Sequence, residues 1–328
     1  MVALIVALEV FVGARREFAD PVALEWRGGA KAIQSRSRPT DVICLGDSLI
    51  KHGIAAPVLA ARLGCSVRNF AMPAAPASSS YFALKHAIEA GARPRLVLVS
   101  YAPFLLLPGY RLNRQYLPET ATAADSLDLA WVARDPELGG ALLLSQLVPT
   151  VRNRVYLRTR IARVTGTMAT GPNTPAGRHD LWLPGGNQAV FDWFYPTAWK
   201  PGDDHRRYVE RLIDLAEGHG ATVVWLIPPL GDAIRAEWQA RGLDARYTRF
   251  AAGVQERFPR LVVIDARTFP LDESDRADPL HLTQQGAERF TAEVAEVLAD
   301  LPQQPRWIGL SSPATAVGRF DPACLTDF

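Results

Sequence analysis

Short apolar, β-branched runs recur along the chain, separated by stretches with helical spacing. Residues 41–45 (DVICL) end at Gly46 and predict a buried parallel strand. Over 50–63 the apolar positions Ile54, Val58, Leu59 and Leu63 follow the helical repeat and stop at Gly64, which predicts a helix. A second strand is expected at 66–71, a Pro/Ala/Ser loop at 72–80, a helix at 81–90 ending before Gly91, and a third strand at 96–101 (LVLVSY). The pattern resumes with an amphipathic helix at 206–218 (Tyr208, Leu212, Leu215, Ala216) and a strand at 221–227 closed by Pro228 and Pro229. A mostly helical region at 232–258, a strand at 261–264 and a final helix at 283–298 complete it. Strands alternating with helices at this spacing predict an α/β fold with a parallel five-stranded sheet covered by helices on both faces.

Between the third and fourth strands the alternation is lost. Residues 111–204 contain loop-like stretches at 170–177 and 184–186 and read as a large insertion. The expected organisation is therefore an α/β core from 39–110 and 205–300, the insertion at 111–204, an N-terminal apolar segment and linker at 1–38, and a Pro-punctuated tail at 301–328. No internal repeat is present.

Residues 1–13 (MVALIVALEVFVG) are apolar except for Glu9. The run is shorter than the roughly 20 apolar residues that span a bilayer. It has the length of a signal-peptide core, with small residues after it, yet no positive charge precedes it and Arg15 and Arg16 follow it. A membrane anchor or export signal and a helix packed on the protein's own core both fit this pattern. The first reading puts the protein in the cell envelope, near a membrane through its N-terminus. No other stretch reaches membrane-spanning length, so the remainder is expected to be soluble.

The chain has 328 residues, of which 48% are hydrophobic and 21% charged, enough to bury a core and too apolar for global disorder. Lys+Arg number 36 against 34 Asp+Glu, a net charge of +2, which argues against nucleic acid bound by bulk charge. Cys44, Cys65 and Cys324 are too few and too scattered for a disulfide scaffold or a zinc site. Buried thiols or a single Cys44–Cys65 bridge are the options.

In parallel α/β sheets ligands bind at the carboxyl ends of the strands. Gly46-Asp47-Ser48-Leu49 falls at such an end, with Ser48 on a tight turn into a helix. Ser and Asp are ordinary helix caps, so this tripeptide alone is ambiguous. Asp278-Pro279-Leu280-His281 follows the last predicted strand and precedes the final helix. A serine nucleophile needs a base within hydrogen-bond reach, and the base needs a carboxylate to set its tautomer. Ser48, His281 and Asp278 supply the three roles, and their joint occurrence at two strand ends is a stronger signal than either motif.

Gly46-Asp47-Ser48-Leu49 and Asp278-Pro279-Leu280-His281-Leu282, with the strand order between them, resemble the SGNH/GDSL hydrolase superfamily over about 39–110 and 205–300. The resemblance implies a three-layer α/β/α sandwich with a flavodoxin-like sheet and a serine esterase, deacetylase or acyltransferase. It makes Ser48 the nucleophile, His281 the base and Asp278 its partner, with Gly46 and Asp47 structural residues of the nucleophile turn. Members of that family complete the oxyanion hole with a glycine after the second strand and an asparagine after the third. Here Ala74 or Ala75 stands in the glycine region, and Ser100 or Tyr101 in the asparagine region. Backbone N–H groups still suffice as donors, the Ser48 amide among them. The overall organisation is similar to envelope proteins of the superfamily that move or remove acyl groups on extracellular polysaccharide.

The expected function is acyl-ester hydrolysis or O-acyl transfer through an acyl-enzyme, on O-acetyl groups of a small molecule or polysaccharide. A non-catalytic binding protein of an envelope polysaccharide system and a lipid-directed acyl hydrolase are the alternatives. No HExxH, CxxC, P-loop or GxGxxG is present, so no metal or nucleotide cofactor is implied. His86, His179, His205 and His219 lack metal-ligand spacing, and His52 lies one turn beyond Ser48. Two features of the insertion have double readings. Trp182, Phe191, Trp193, Phe194, Tyr195 and Trp199 suit either a local core or a sugar- or acyl-binding mouth. Arg152, Arg154, Arg158, Arg160 and Arg163 suit a solvated helix face or an anion-binding patch.

Overall fold

A computed structural model of the chain describes residues 2–35, 40–108, 114–165, 192, 194–301 and 306–311. By internal contacts the chain divides into two compact units, one from Met1–Gln34 with Arg111–Gly177, the other from Ser35–Tyr110 with Arg178–Phe328. Residues 194–204, grouped on the sequence with the insertion at 111–204, thus cluster with the sheet.

The second unit is an α/β structure built on a parallel sheet. Its strands are β1 (Val42–Gly46), β2 (Val67–Asn69), β3 (Leu96–Ser100), β4 (Thr222–Ile227), β5 (Val262–Asp265) and β6 (Trp307–Gly309). They lie in the order β2-β1-β3-β4-β5-β6, and every neighbouring pair is parallel. The sheet therefore has six strands where the apolar runs predict five. The sixth, Trp-Ile-Gly, is a three-residue edge strand pairing Val263 with Trp307, too short for a period to register.

The helices of this unit are α3 (Ser48–Gly53), α4 (Ala56–Leu63), α5 (Ala77–Glu89), α10 (Asp203–Gly218), α11 (Asp232–Ala240), α12 (Leu243–Arg257) and α13 (Gln284–Ala299). Because side chains alternate across a strand, each one feeds two layers. Val42, Cys44, Leu98, Val224 and Ile264 pack with Leu59 of α4 and Phe290 and Val294 of α13. Across the sheet, α5 meets β1, α10 meets β4 and α12 meets β5.

Two predicted helices are split for local reasons. The helix expected at 50–63 breaks at Ile54–Ala55, both extended, and restarts with Pro57 in the first turn of α4, where its missing N–H costs nothing. The region 232–258 breaks at Gly242, whose φ of +64° is left-handed. Cys44 and Cys65 are free thiols, which excludes a bridge between them. Burial pushes the Cys44 thiol up to about 12 and Cys65 to about 11.

The first unit is helical, with α1 (Val2–Ala14), α2 (Pro21–Gln34), α6 (Ala123–Ala133), α7 (Pro136–Leu147), α8 (Pro149–Arg152) and α9 (Arg154–Val164). In α2 the buried positions Ala23, Trp26, Ala30 and Ile33 form one stripe, with Trp26 against Tyr116. Arg27 grips both carboxylate oxygens of Glu119 at 2.8 and 3.0 Å. A reciprocal capping box of Thr122 and Asp125 starts α6. Helix α1 does not pack along its length: Val12 is buried, while Val2–Leu8, Val10 and Phe11 are exposed. Among the described residues no helix is long and apolar enough to cross a membrane.

Candidate active site

The site grows from the end of β1. Gly46 pairs with Ser100 of β3 and has φ +129°. A Cβ there would lie 2.2 Å from the Ser100 carbonyl oxygen, so only glycine fits so close an approach. The chain then turns at Asp47, which caps α3 and is wholly buried.

Both Asp47 carboxylate oxygens are occupied: Oδ1 accepts from the Leu49 N–H at 2.8 Å and Oδ2 from the Ala102 N–H at 2.7 Å. Burial raises its pKa to about 6, against the pull of those two N–H groups and of His281. Asp47 thus ties the turn into α3 to the loop after β3, and Ala102 is a partner that side-chain patterns do not reveal. A backbone donor leaves no signature in side-chain identity.

Ser48 opens α3, and its Oγ lies 2.8 Å from His281 Nε2. His281 Nδ1 lies 2.7 Å from Asp278 Oδ2. The carboxylate can only accept, so Nδ1 carries the proton and Nε2 presents a lone pair to the serine hydroxyl. Asp278 Oδ1 also accepts from the Leu280 and His281 N–H groups, each at 2.8 Å. Burial pushes the Asp278 carboxyl up, but its bond to His281, the charge of that ring and the two backbone donors outweigh burial and hold it at about 2.

The loop carrying this pair is braced on three sides. The Ala277 N–H donates to the His281 carbonyl at 2.9 Å, closing the turn. Gly231, after β4, donates its N–H to the Pro279 carbonyl at 3.0 Å, and a Cβ at Gly231 would meet that oxygen at 2.8 Å. Arg276 reaches the Leu230 carbonyl at 3.0 Å, and Thr283 caps α13 through the Gly286 N–H.

The oxyanion candidates separate into two groups. Ala74 adopts φ +46°, the left-handed region in which glycine is unstrained, so an alanine occupies a glycine backbone. Ala75 is buried and its N–H donates to the Met72 carbonyl at 3.3 Å. Ser100, which ends β3, and Tyr101, which follows it, are both buried; the Ser100 backbone faces Gly46, and the Tyr101 carbonyl accepts from Tyr247 Oη at 2.6 Å. Neither Ser100 nor Tyr101 makes a hydrogen bond to Ser48 among the described residues. The Ser48 N–H, at the head of α3, has no acceptor among the described residues.

His52, one turn along α3 from Ser48, stands with its ring 5.2 Å from that of His281 in an edge-to-face arrangement. Partial burial, then His281 and Lys51, lower its pKa, against Asp278. The helical spacing of Ser48 and His52 was the available signal.

The aromatic segment before α10 packs into the sheet unit. Phe194, Tyr195 and Trp199 are buried; Phe194 meets Phe104 at 4.4 Å, and Trp199 Nε1 donates to the Pro103 carbonyl at 2.7 Å. Trp182, Phe191, Trp193 and His179 lie outside the described residues. Among the described residues no three His, Cys, Asp or Glu side chains gather as a metal site. No known family model matches the chain, and comparison with curated proteins finds no match.

Proposed function

We propose that this protein is a serine-dependent acyl-ester enzyme of the SGNH/GDSL type, working through Ser48, His281 and Asp278 without a cofactor. The observation that carries the reading is the unbroken relay from Ser48 Oγ through the His281 ring to Asp278, at 2.8 and 2.7 Å. The β2-β1-β3 order at one side of the sheet, with Ser48 beyond the carboxyl end of β1, agrees with the flavodoxin-like arrangement and with ligand binding at the switch point.

In the proposed cycle Ser48 Oγ attacks the ester carbonyl carbon while its proton passes to His281 Nε2. The imidazolium is stabilised by Asp278 at Nδ1. Collapse of the tetrahedral intermediate breaks the ester C–O bond, and His281 returns the proton to the leaving alcohol. Water or an acceptor hydroxyl, deprotonated by His281, then attacks the acyl-serine and restores Ser48. The Ser48 N–H is assigned as an oxyanion donor. The Ala102 N–H is committed to Asp47 and the side chains of Ser100 and Tyr101 are in the core. A missing donor typically costs about 10²–10³ in rate, so a slow, specialised hydrolase or an acyltransferase fits better than a fast general esterase. O-acetyl groups on carbohydrate are the substrate class that the sequence resemblance favours.

The test is turnover of an aryl acetate by the wild type and by Ser48→Ala. Loss of turnover with an unchanged circular dichroism spectrum supports the reading. Equal turnover removes Ser48 as nucleophile.

A further inference from the structure

Every large apolar side chain that stays exposed among the described residues belongs to the helical unit, and none to the sheet unit. Helix α1 is the centre of this asymmetry. From Val2 to Phe11 all its positions but Glu9 are exposed, Leu4 at 75% and Val10 at 66%. Its single charge is turned inward: Glu9 accepts from the Thr150 N–H at 2.9 Å and from the Thr150 hydroxyl on α8. What α1 offers to its surroundings is therefore hydrocarbon alone. Further along the unit Trp131, Leu147 and Val164 are exposed by 80% or more.

The charge beside this surface is mainly positive, the exposed Glu17 being paired with Arg15 at 3.0 Å. Residues 148–177 contain five arginines and neither Asp nor Glu. Arg154, Arg158 and Arg160 of α9 are exposed, as are Arg15 and Arg16 directly after α1. The two regions are joined, since Pro149 of α8 packs on Gly13 and Arg160 donates to the Glu17 carbonyl at 3.2 Å.

We propose that this unit docks on an anionic phospholipid surface, with α1 lying in the interface and the α9 arginines on the lipid phosphates. The thirteen residues of α1, at 1.5 Å rise, present about 20 Å of exposed apolar helix to lie along the interface of one leaflet. Charge selects this occupant over a second copy of the chain. Two such units brought together would set arginine against arginine, whereas anionic headgroups neutralise them. The inference stands apart from the chemistry at Ser48.

Flotation of the full chain with vesicles of phosphatidylcholine, with and without phosphatidylglycerol, tests it. Binding to the phosphatidylglycerol vesicles that weakens with added salt is the expected result. Arg154→Gln and Arg158→Gln should each weaken it by roughly fivefold. Leu4→Asp with Leu8→Asp should abolish it while the thermal midpoint stays put, because both side chains are exposed. Absence of binding, equal binding to both vesicle types, or indifference to either set of substitutions overturns the proposal. So does a chain that self-associates through α1 and ignores vesicles.

Discussion

The His52 ring stands edge-on to the His281 ring, with centroids 5.2 Å apart and planes at 73°. One turn of α3 separates His52 from Ser48, so a second imidazole borders the Ser48–His281–Asp278 relay on the helix that Ser48 opens. Its pKa is lowered by partial burial and by His281, which favours the uncharged ring. A neutral ring there leaves His281 free to take up a proton in the proposed attack. A fixed cation would oppose that step. His52→Lys should lower kcat/KM by about fivefold, corresponding to about 1 kcal/mol for a solvent-screened charge at this distance. It should also move the acidic limb of the pH–rate profile to lower pH, whereas His52→Phe should leave the limb near its place. Steady-state kinetics across pH decide between these outcomes.

Asp278→Asn probes the tautomer. An amide at this position can turn its NH₂ toward Nδ1, which forces the proton onto Nε2 and leaves nothing to accept from Ser48. Turnover should fall by about 10³–10⁴, with KM little changed. The same carboxyl, held at about 2, adds stability above the ordinary carboxylate range. That contribution is lost as pH falls toward 2, and Asp278→Asn should lack this acid-side loss in urea titrations.

Asp47 has the opposite sign. Its carboxyl is raised to about 6 from the ordinary 3.8, so ionisation costs the folded state. The penalty grows between about pH 4 and 6 and is complete above that, at about 3 kcal/mol. Asp47→Asn removes it but strands one of the two N–H groups that the carboxylate serves, Leu49 or Ala102. Between pH 4 and 6 the variant's unfolding free energy should rise relative to wild type. Parallel curves would show that Asp47 does not titrate there.

Ala74 is an alanine on a glycine's backbone. Ala74→Gly relieves about 1–2 kcal/mol of left-handed strain and adds about 0.4–1 kcal/mol of unfolded-state entropy. Stability should therefore hold or rise slightly, with turnover preserved because the amide remains. Ala74→Val should destabilise, because a β-branched side chain tolerates this region worst. Thermal unfolding of the pair checks the ordering.

Much of the sheet unit is legible in the chain because its strands are buried on both faces and read as continuous apolar runs such as VICL and LVLVS. The two motif loops are legible because a serine on the turn after β1 and an Asp-x-x-His directly before α13 supply three complementary chemical types. What escaped has physical causes. The strand Trp307–Gly309 is too short for a period and gains its place by pairing with β5. The Asp47–Ala102 tie runs through a backbone amide, which any residue but proline supplies. The helical unit assembles 2–34 with 114–165, and no local pattern announces that Arg27 will find Glu119. The aromatic stretch near Trp199 fits a local core or a binding mouth on composition alone, and the indole N–H on the Pro103 carbonyl makes that residue part of the packing.

The most direct measurement is active-site labelling with a fluorophosphonate probe, read by peptide mass spectrometry. Phosphonylation at Ser48 that disappears in His281→Ala is the expected result, since the hydroxyl reacts only when the ring takes its proton. A serine that stays unlabelled at high probe concentration, or that labels equally without His281, would contradict the assignment.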